Sequence, residues 1–329
     1  MGISTGAPAA KTMNDREIHT PVMLDRVVEL LAPAVAHDGA VIIDATLGMG
    51  GHTEAMLQAF PNARVIGIDR DTDAIEVARR RLADMSDRLT IVHAVYNEIA
   101  RALREGSAKS ADGILFDLGV SSMQLDRAER GFAYAKNVPL DMRMDRTEGP
   151  TAAMLIAEYP ESALRRIFEK FGEEKLSARY ARAIVRARET APIETSAQLV
   201  EILIDATPAA VQRTGHPAKR VFQALRIEVN RELEAVELAI PAGLDALAVG
   251  GRMVVLSYQS LEDRIVKQEF ATRSKSTAPA GLPIELPQHR PEFALLVRGA
   301  ELADDAERAR NPRSTPVRLR AAERIRAAA

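Results

Sequence analysis

The chain has 329 residues, a length that fits about two domains. Its formal net charge of −2 excludes a basic field over the whole molecule, so any contact with nucleic acid must come from local patches. The absence of cysteine excludes disulfides, cysteine zinc sites and thiol nucleophiles, and it fits a reducing cytoplasm. No apolar run approaches the roughly 18 residues that span a bilayer, and we expect residues 1–18 to be a disordered N-terminus.

Short β-branched runs alternate with helical patterns in the first part of the chain. This alternation predicts strands over residues 41–45, 64–69, 89–94 and 113–117. Between them it predicts helices that include residues 54–60 and 73–82. Alternating strands and helices are typical of a parallel sheet with helices on both faces. We therefore predict a doubly wound α/β sheet.

The alternation stops after residue 122, and the next hundred or so residues show loops and helical spacing without a clear strand. Helices are predicted there at residues 163–171, 177–187 and 196–205. The earlier pattern returns with a helix over residues 231–247, a strand over 252–257 and a last strand over 293–298. This order predicts a sheet domain, formed by residues 19–125 and 231–329, that is interrupted by a helical insertion over residues 126–230.

An acid and several glycines follow the first predicted strand, in the sequence DATLGMGGHT at residues 44–53. Gly50 and Gly51 allow a tight turn, and the helix that follows directs free N–H groups at an anion. The motif is not the dinucleotide pattern GxGxxG, because Thr53 stands at its third glycine. It is closer to the acid-plus-glycine motif of methyltransferases, while a purely structural turn is the alternative for this motif alone.

Each of the next three predicted strands ends near a side chain that suits a nucleoside. Asp69 can accept from both ribose hydroxyls, or it is a solvated acid beside Arg70. Tyr96 can pack on an adenine ring or lie in the core, and Asp117 ends the fourth strand. Ligands of open α/β sheets lie at the carboxyl ends of the strands. Together these groups favour a nucleoside ligand, either NAD or S-adenosylmethionine.

Seven longer stretches are particular in sequence. They are HTPVM at 19–23, DATLGMGGH at 44–52, GILFDLGVSS at 113–122, ERGF at 129–132, PLDMRMD at 139–145, KRVFQALRIEVN at 219–230 and SYQSLED at 257–263. These stretches resemble the bacterial 16S ribosomal RNA cytosine-N4 methyltransferase family, called RsmH or MraW, and the resemblance covers nearly the whole chain. It implies a Rossmann-like class I methyltransferase sheet with an inserted helical domain. It also implies N4-methylation of one cytosine in the 16S rRNA of the small ribosomal subunit.

The resemblance further implies S-adenosyl-L-methionine as the cofactor, with contacts at Gly50, Gly51, His52, Asp69, Tyr96, Asp117 and Gln124. Two places depart from the family's pattern. Met123 stands where a proline usually precedes the glutamine, which bears on the loop that holds Gln124. Thr315 and Pro316 follow the motif NPRS at 311–314 where a more basic stretch is common, which bears on RNA contacts of the tail.

The amino nitrogen of cytosine is a poor nucleophile because its lone pair is delocalised into the ring, so positioning can provide much of the rate. Methylation at C5 would need a cysteine nucleophile, which the chain lacks. We predict that residues 131–145, the acceptor loop, grip the base, with Phe132 or Tyr134 stacked on it. Asp141 is the predicted catalytic acceptor from N4, and Arg143 would donate to the base or a phosphate. The alternative is a structural loop in which Asp141 and Arg143 pair with each other.

Three basic runs, residues 164–188, 211–226 and 308–326, predict contacts with RNA phosphates in an otherwise neutral chain. Each run by itself is more often a solvated face. On the predicted helix of the first run, three arginines share one face: Arg179, Arg182 and Arg186. The complete set of predicted RNA contacts is Phe132, Arg143, Arg179, Arg182, Arg220 and Arg313.

We predict no metal, because no cluster of histidine and acidic residues has ligand spacing, and no membrane partner. A cytoplasmic location is expected, and a homodimer is left open. Two other functions remain open as well. A small-molecule methyltransferase on the same fold would explain the glycine turn and Asp69 but not the basic runs. A non-catalytic ribosome assembly factor would keep the fold without using the cofactor.

Overall fold

The computed structural model describes residues 21–119, 130–132, 134, 137–212, 216–279 and 286–327. The strands in these ranges are β1 Val41–Asp44, β2 Arg64–Asp69, β3 Leu89–His93, β4 Ala111–Asp117, β5 Leu247–Ser257, β6 Phe293–Leu295 and β7 Arg318–Arg324. The helices before β5 are α1 Leu24–Leu31, α2 Gly51–Ala59, α3 Thr72–Arg81, α4 Ile99–Glu105, α5 Ala152–Glu158, α6 Glu161–Lys170, α7 Ser177–Arg188, α8 Ser196–Ala206, α9 Ala209–Gln212, α10 Ala218–Asn230 and α11 Glu232–Ala246. After β5 come α12 Ser260–Arg273 and α13 Asp305–Arg310.

The strands form one sheet in the order β3-β2-β1-β4-β5-β7-β6. Strands β1 to β5 pair in parallel, whereas β7 is antiparallel to both of its neighbours. The prediction of a doubly wound, Rossmann-like α/β sheet is confirmed. Because the parallel strands point the same way, their carboxyl ends meet at one edge of the sheet.

Helices cover both faces of the sheet, which explains why the strands are nearly continuous apolar runs. Adjacent residues of β1 point to opposite faces: Ile43 joins the cluster that includes Val236 of α11 and Phe270 of α12. Ile42 joins a second cluster, which includes Leu57 of α2. All four residues of β1 are buried. Because side chains of each strand are packed on both faces, the strand cannot shift along its axis, and the position of its carboxyl end is fixed.

Helices α5 to α10 lie between β4 and α11 in the chain and have a hydrophobic cluster of their own. It contains Phe168 of α6, Tyr180 of α7, Leu199 of α8 and Phe222 of α10. The predicted helices at residues 163–171, 177–187 and 196–205 correspond to α6, α7 and α8. Within the described ranges, no helix combines the length and the apolar character needed to cross a membrane.

The prediction that the last strand covers residues 293–298 is wrong. Strand β6 ends at Leu295, and β7 follows it in the chain but lies between β5 and β6. The first four residues of β7, RLRA, have the strand period of two, but the arginines of this strand give it the composition of a basic surface tail. Leu319 is fully buried in the sheet core, whereas the Arg320 guanidinium donates to Asp263 at 2.7 and 3.1 Å.

A substitution in β7 tests whether residues 318–324 form a core strand or a solvated basic tail. We expect Leu319→Ala to lower the free energy of unfolding by about 2–5 kcal/mol, because it leaves a cavity in a packed core. The control is Leu302→Ala, since Leu302 is 56% exposed and its truncation should change stability by less than about 0.5 kcal/mol. Urea denaturation followed by circular dichroism measures both. Equal and small effects would mean that residues 318–324 do not belong to the core.

Candidate active site at the carboxyl edge of the sheet

The turn after β1 requires glycine for its backbone and for its packing. Gly48 and Gly50 have positive φ angles of +52° and +80°, which disfavour other residues. A Cβ atom on Gly50 would lie 2.8 Å from Leu82 Cδ1, and one on Gly51 would lie 2.7 Å from Pro21 Cγ. Helix α2 begins at Gly51. The turn therefore brings the first N–H groups of α2 to the carboxyl edge, where they can meet an anion.

Asp44, the last residue of β1, stabilises this turn through hydrogen bonds. Its buried carboxylate accepts a hydrogen bond from the Thr53 hydroxyl at 2.6 Å and one from the Thr46 N–H at 3.2 Å. Burial raises the pKa of Asp44, and the Thr53 hydrogen bond opposes that rise. The Thr46 hydroxyl in turn accepts from the Asp117 N–H at 2.7 Å, which joins the turn to the end of β4.

Asp69 lies half-buried at the end of β2 and faces the glycine turn. Its two carboxylate oxygens accept the N–H groups of Gly48 at 2.7 Å and Asp71 at 2.8 Å. Burial raises the pKa of Asp69 to about 6, although both backbone hydrogen bonds favour the ionised form. A carboxylate has about four acceptor sites, so each oxygen can accept one more hydrogen bond.

Tyr96 lies half-buried beyond the end of β3. Its ring packs edge-on against Phe116, with 6.1 Å between the ring centroids. Its hydroxyl donates to the Glu232 carbonyl at 3.2 Å, and burial raises the pKa of Tyr96, so the hydroxyl stays neutral. These contacts hold the ring in one orientation.

Asp117 ends β4 and is contacted by two aromatic side chains. The Tyr258 hydroxyl donates to Asp117 Oδ1 at 2.7 Å, and His52 Nδ1 lies 3.6 Å from Asp117 Oδ2. His52 is itself held by the Val22 carbonyl, 3.1 Å from its Nε2. Burial raises the pKa of Asp117, and His52 and Tyr258 oppose that rise. The sequence analysis missed Tyr258, although the rule of strand ends finds it, since it directly follows β5.

A second group of buried charges lies beside Tyr96. Arg226 donates to both carboxylate oxygens of Glu232, at 2.8 and 3.0 Å. Glu262 accepts the N–H groups of Tyr258 and Gln259 at 3.0 and 3.1 Å. Burial and then the Glu232 charge raise the pKa of Glu262 to about 7. Arg226 belonged to a predicted RNA-binding run, but in the structure this ion pair occupies its guanidinium.

The described residues of the acceptor loop, 131, 132, 134 and 137–145, lie at the same edge, and Gly131 allows close packing there. A Cβ atom on Gly131 would come within 2.5 Å of the Pro139 carbonyl oxygen. Phe132 is only 7% exposed, and Tyr134 stacks on His216 with 4.6 Å between centroids. Stacking of either ring on a base stays a prediction. Gln124 and Met123 lie outside the described residues.

Asp141 and Arg143 pair with each other, as the structural alternative proposed. Arg143 donates from Nε at 2.7 Å and from a terminal nitrogen at 3.0 Å to the two carboxylate oxygens. Burial raises the pKa of Asp141, but hydrogen bonds from Arg143 and its charge outweigh that effect, so the pKa lies below its usual value. Both side chains remain half-buried, and Asp141 therefore stays an ionised acceptor that is reachable from outside.

The sequence analysis also missed Arg130 and Asn230, two buried residues that hold the acceptor loop. Arg130 is 1% exposed, and it pairs with Asp71 at 2.9 Å. The Asn230 side chain donates to the Met142 carbonyl at 2.7 Å. Both residues lie in stretches that carry the family resemblance, ERGF and KRVFQALRIEVN, but no spacing rule pointed to them.

The arginines predicted to contact RNA differ in exposure. On α7, the side chains of Arg179, Arg182 and Arg186 are exposed, and Arg182 lies 3.6 Å from Glu161. Arg220 is exposed and donates to the Glu173 carbonyl at 2.8 Å. Arg313 is half-buried in a short turn at Pro312–Ser314. Their contacts with RNA remain predictions.

The carboxyl edge fits S-adenosylmethionine by its donors and acceptors. Half-buried carboxylates of Asp69 and Asp117 suit hydroxyl donors and a cationic ligand, and the start of α2 suits a carboxylate. The hydroxyl of Ser257, at the end of β5, is buried with no hydrogen-bond partner among the described residues. In the same ranges, no three histidine or acidic side chains are grouped closely enough to hold a metal.

Comparisons with known proteins agree with this geometry. The profile of the MraW methylase family matches residues 16–325. The chain is 64% identical over 311 residues to "Ribosomal RNA small subunit methyltransferase H" of Leifsonia xyli subsp. xyli, covering 94% of this chain and 96% of the relative. A protein of the same name from Saccharopolyspora erythraea is 60% identical over 314 residues, covering 95% of each. A solved rRNA methylase from Streptococcus thermophilus is similar at a TM-score of 0.42 and 12% identity, covering 96% of this chain and 100% of that one, which is too weak to inform function.

Proposed function

Because the chain belongs to the MraW methylase family, we propose that it methylates the N4 amino group of a cytosine in 16S rRNA, with S-adenosyl-L-methionine as the methyl donor. Relatives named small-subunit rRNA methyltransferases support the RNA substrate. The structural observation that carries the proposal is the row formed by Asp69, Tyr96 and Asp117 along one edge, with the acceptor loop beside it. The substrate is the small ribosomal subunit, and the reaction takes place in the cytoplasm.

We assign the cofactor contacts to the residues of this edge. S-adenosyl-L-methionine supplies an activated methyl group on a cationic sulfur. Asp69 accepts from the ribose hydroxyls, Tyr96 packs on the adenine, and the turn at Gly50 and Gly51 receives the carboxylate. His52, Asp117 and Gln124 complete the set. Asp117 holds the Tyr258 hydroxyl at the strand end, and its negative charge favours a cationic ligand.

We assign the amino group of the base to Asp141. A carboxylate that accepts from N4 strengthens its hydrogen bond as positive charge develops on that nitrogen, so it acts mainly in the transition state. The lowered pKa of Asp141 keeps it ionised as an acceptor that orients the amino group, and the proton that N4 loses on methylation would pass to solvent water. The Arg143 fork fixes the orientation of this carboxylate.

We propose that residues 126–230 form the helical insertion that recognises RNA, and that residues 19–125 and 231–329 form the cofactor-binding domain. The separate hydrophobic cluster of α5 to α10 supports this division. The exposed arginines of α7 support a phosphate-contacting face on the insertion. Such a face favours RNA over a small-molecule substrate.

The direct test is incubation with small subunits that lack the modification, followed by nucleoside mass spectrometry. We expect N4-methylcytidine, formed only when S-adenosylmethionine is present. A methyl group on C5 or on ribose would overturn the amino-methylation proposal. Cofactor binding without transfer to subunits would instead support the small-molecule methyltransferase, and absence of cofactor binding would support the assembly factor.

The ionisation of Asp69 gives a prediction for cofactor affinity. Asp69→Ala should weaken S-adenosylmethionine binding by about 1.5–3 kcal/mol through loss of a charge-assisted contact. Because the ionised form binds and its pKa is about 6, wild-type affinity should be constant above that pH and fall by at most about tenfold per unit below it.

Titration calorimetry at several pH values measures both effects. Asp69→Ala should lack the decline at low pH. The control is Asp245→Ala, which removes a carboxylate that pairs with Arg273 at 2.9 Å; Asp245 lies two residues before β5 and therefore away from the carboxyl edge. An unchanged affinity of Asp69→Ala would remove Asp69 from the cofactor site.

The role of Asp141 predicts a loss of rate rather than of binding. Asp141→Ala should lower the single-turnover rate by roughly 10²–10³, the range for loss of one transition-state hydrogen bond. Asp141→Asn keeps an acceptor without charge and should fall between wild type and alanine. Cofactor affinity should not change in either variant.

The matched control is Asp145→Ala, which removes a carboxylate of the same loop that accepts from the Thr147 N–H and hydroxyl. Rapid-quench assays with saturating subunits compare the four proteins. Near-full activity of Asp141→Ala, or an equal loss in Asp145→Ala, would exclude a specific role for Asp141.

A further inference from the structure

We propose that Arg130 and Asn230 are positioning residues that tie the acceptor loop to the end of β2, so that a ligand on Asp69 orders the loop carrying Asp141. The inference rests on the proposed function, because that function gives Asp69 and Asp141 their ligands. The geometry points to it through two separate sets of contacts. Each set begins at one of the two residues that directly follow Asp69.

The first set runs through Arg130. Its terminal nitrogens donate to both carboxylate oxygens of Asp71, at 2.9 and 3.3 Å, and to Asp73 at 3.1 Å. The same guanidinium donates to the carbonyls of Met144 at 2.8 Å and Arg143 at 3.2 Å. Asp71 is 2% exposed and Arg130 is 1% exposed, so water does not compete for the bonds between these two side chains. One buried side chain thus joins the start of α3 to the acceptor loop.

The second set runs through Asn230, the last residue of α10. Its side chain donates to the Met142 carbonyl and accepts from the Met144 N–H, both at 2.7 Å. Its own carbonyl accepts from Arg70 at 2.8 Å. Asn230 therefore holds the backbone on both sides of Arg143 and is itself held by the neighbour of Asp69.

The two sets converge within two residues of Asp69, at Arg70 and Asp71. The Asp71 N–H donates to Asp69 Oδ1 at 2.8 Å, so the Asp71 carboxylate and the Asp69 carboxylate share one short, hydrogen-bonded turn. A ribose on Asp69 stiffens that turn, and Arg130 and Asn230 pass the restraint to the loop. The loop needs such support, because Met142 has a φ angle of +61°, a strained value for a residue other than glycine.

Hydrogen exchange with S-adenosylhomocysteine as the probe tests this coupling. Arg130→Lys keeps a positive charge beside Asp71 but replaces the planar fork of the guanidinium, which contacts Asp71 and the Met144 carbonyl from separate N–H groups, by one shorter ammonium group. Asn230→Ala removes the side-chain bonds to the loop and keeps the backbone bond to Arg70. The control is Arg252→Lys, which weakens a different ion pair between β5 and β7, in which half-buried Arg252 lies 2.8 Å from Glu323.

In the wild type and in the control, we expect the probe to slow exchange of the amides of residues 140–146 by about tenfold, within the range of typical coupling. In Arg130→Lys and Asn230→Ala the slowing should be less than about twofold, while the affinity for the probe stays within about threefold of wild type. Thermal unfolding verifies that each variant is folded. If one of the two variants does not fold, the other variant alone tests the proposal.

Equal slowing in all four proteins would overturn the proposal, and so would an absence of slowing in the wild type. A parallel loss of probe affinity and slowing would also overturn it, because the two residues would then build the cofactor site rather than transmit its occupancy. The exchange measurement uses no RNA. Failure to methylate small subunits would therefore refute the proposed function without changing the exchange result. Equal slowing of exchange in all four proteins would refute the coupling without changing the methylation result.

Discussion

Parallel pairing of β1 to β5 is the constraint on which the site depends. It places the carboxyl ends of the strands at one edge, where Asp44, Asp69 and Asp117 meet. Gathering three carboxylates in a partly buried place is unfavourable, and burial raises the pKa of each. The fold offsets this with a specific donor for each acid: a threonine hydroxyl, the N–H of the glycine turn and a tyrosine hydroxyl. The carboxylates therefore give this edge a negative electrostatic potential, which suits a cationic nucleoside.

The helices between β4 and α11 leave the sheet and return to it at this same edge. The contacts of Arg130 with Asp71 and of Asn230 with Met142 keep the described part of the acceptor loop beside this edge. At the return point, α10 ends with Asn230, and Arg231 adopts a left-handed conformation that turns the chain into α11. In the proposed reaction this arrangement would place the loop that holds the base and the residues that hold the methyl donor on one support.

The sequence predicted the features that depend on local pattern. Buried strands appear as short apolar runs, and the glycine turn and the acids follow from the rule that ligands bind at strand ends. It did not predict contacts between residues that are distant in the chain: Tyr258 with Asp117, Arg130 with Asp71, and Asn230 with Met142 are separated by 141, 59 and 88 positions. Strand β7 was not predicted for another reason. Its arginines are bound by partners such as Asp263, and a count of charges in the sequence cannot distinguish paired from free cations.

The position of β7 has a consequence for biosynthesis. This strand is translated about 60 residues after β5, yet it is the neighbour that covers the exposed backbone of β5. Because synthesis proceeds at roughly 5–20 residues per second, one side of the apolar strand β5 stays unpaired for several seconds until β7 is made. During this interval Val254 and Val255 belong to an open sheet edge that can pair with another nascent chain. An open edge of this kind favours association between neighbouring nascent chains on one polysome, whereas the finished sheet ends on this side in β6, a strand of three residues that offers little to pair with.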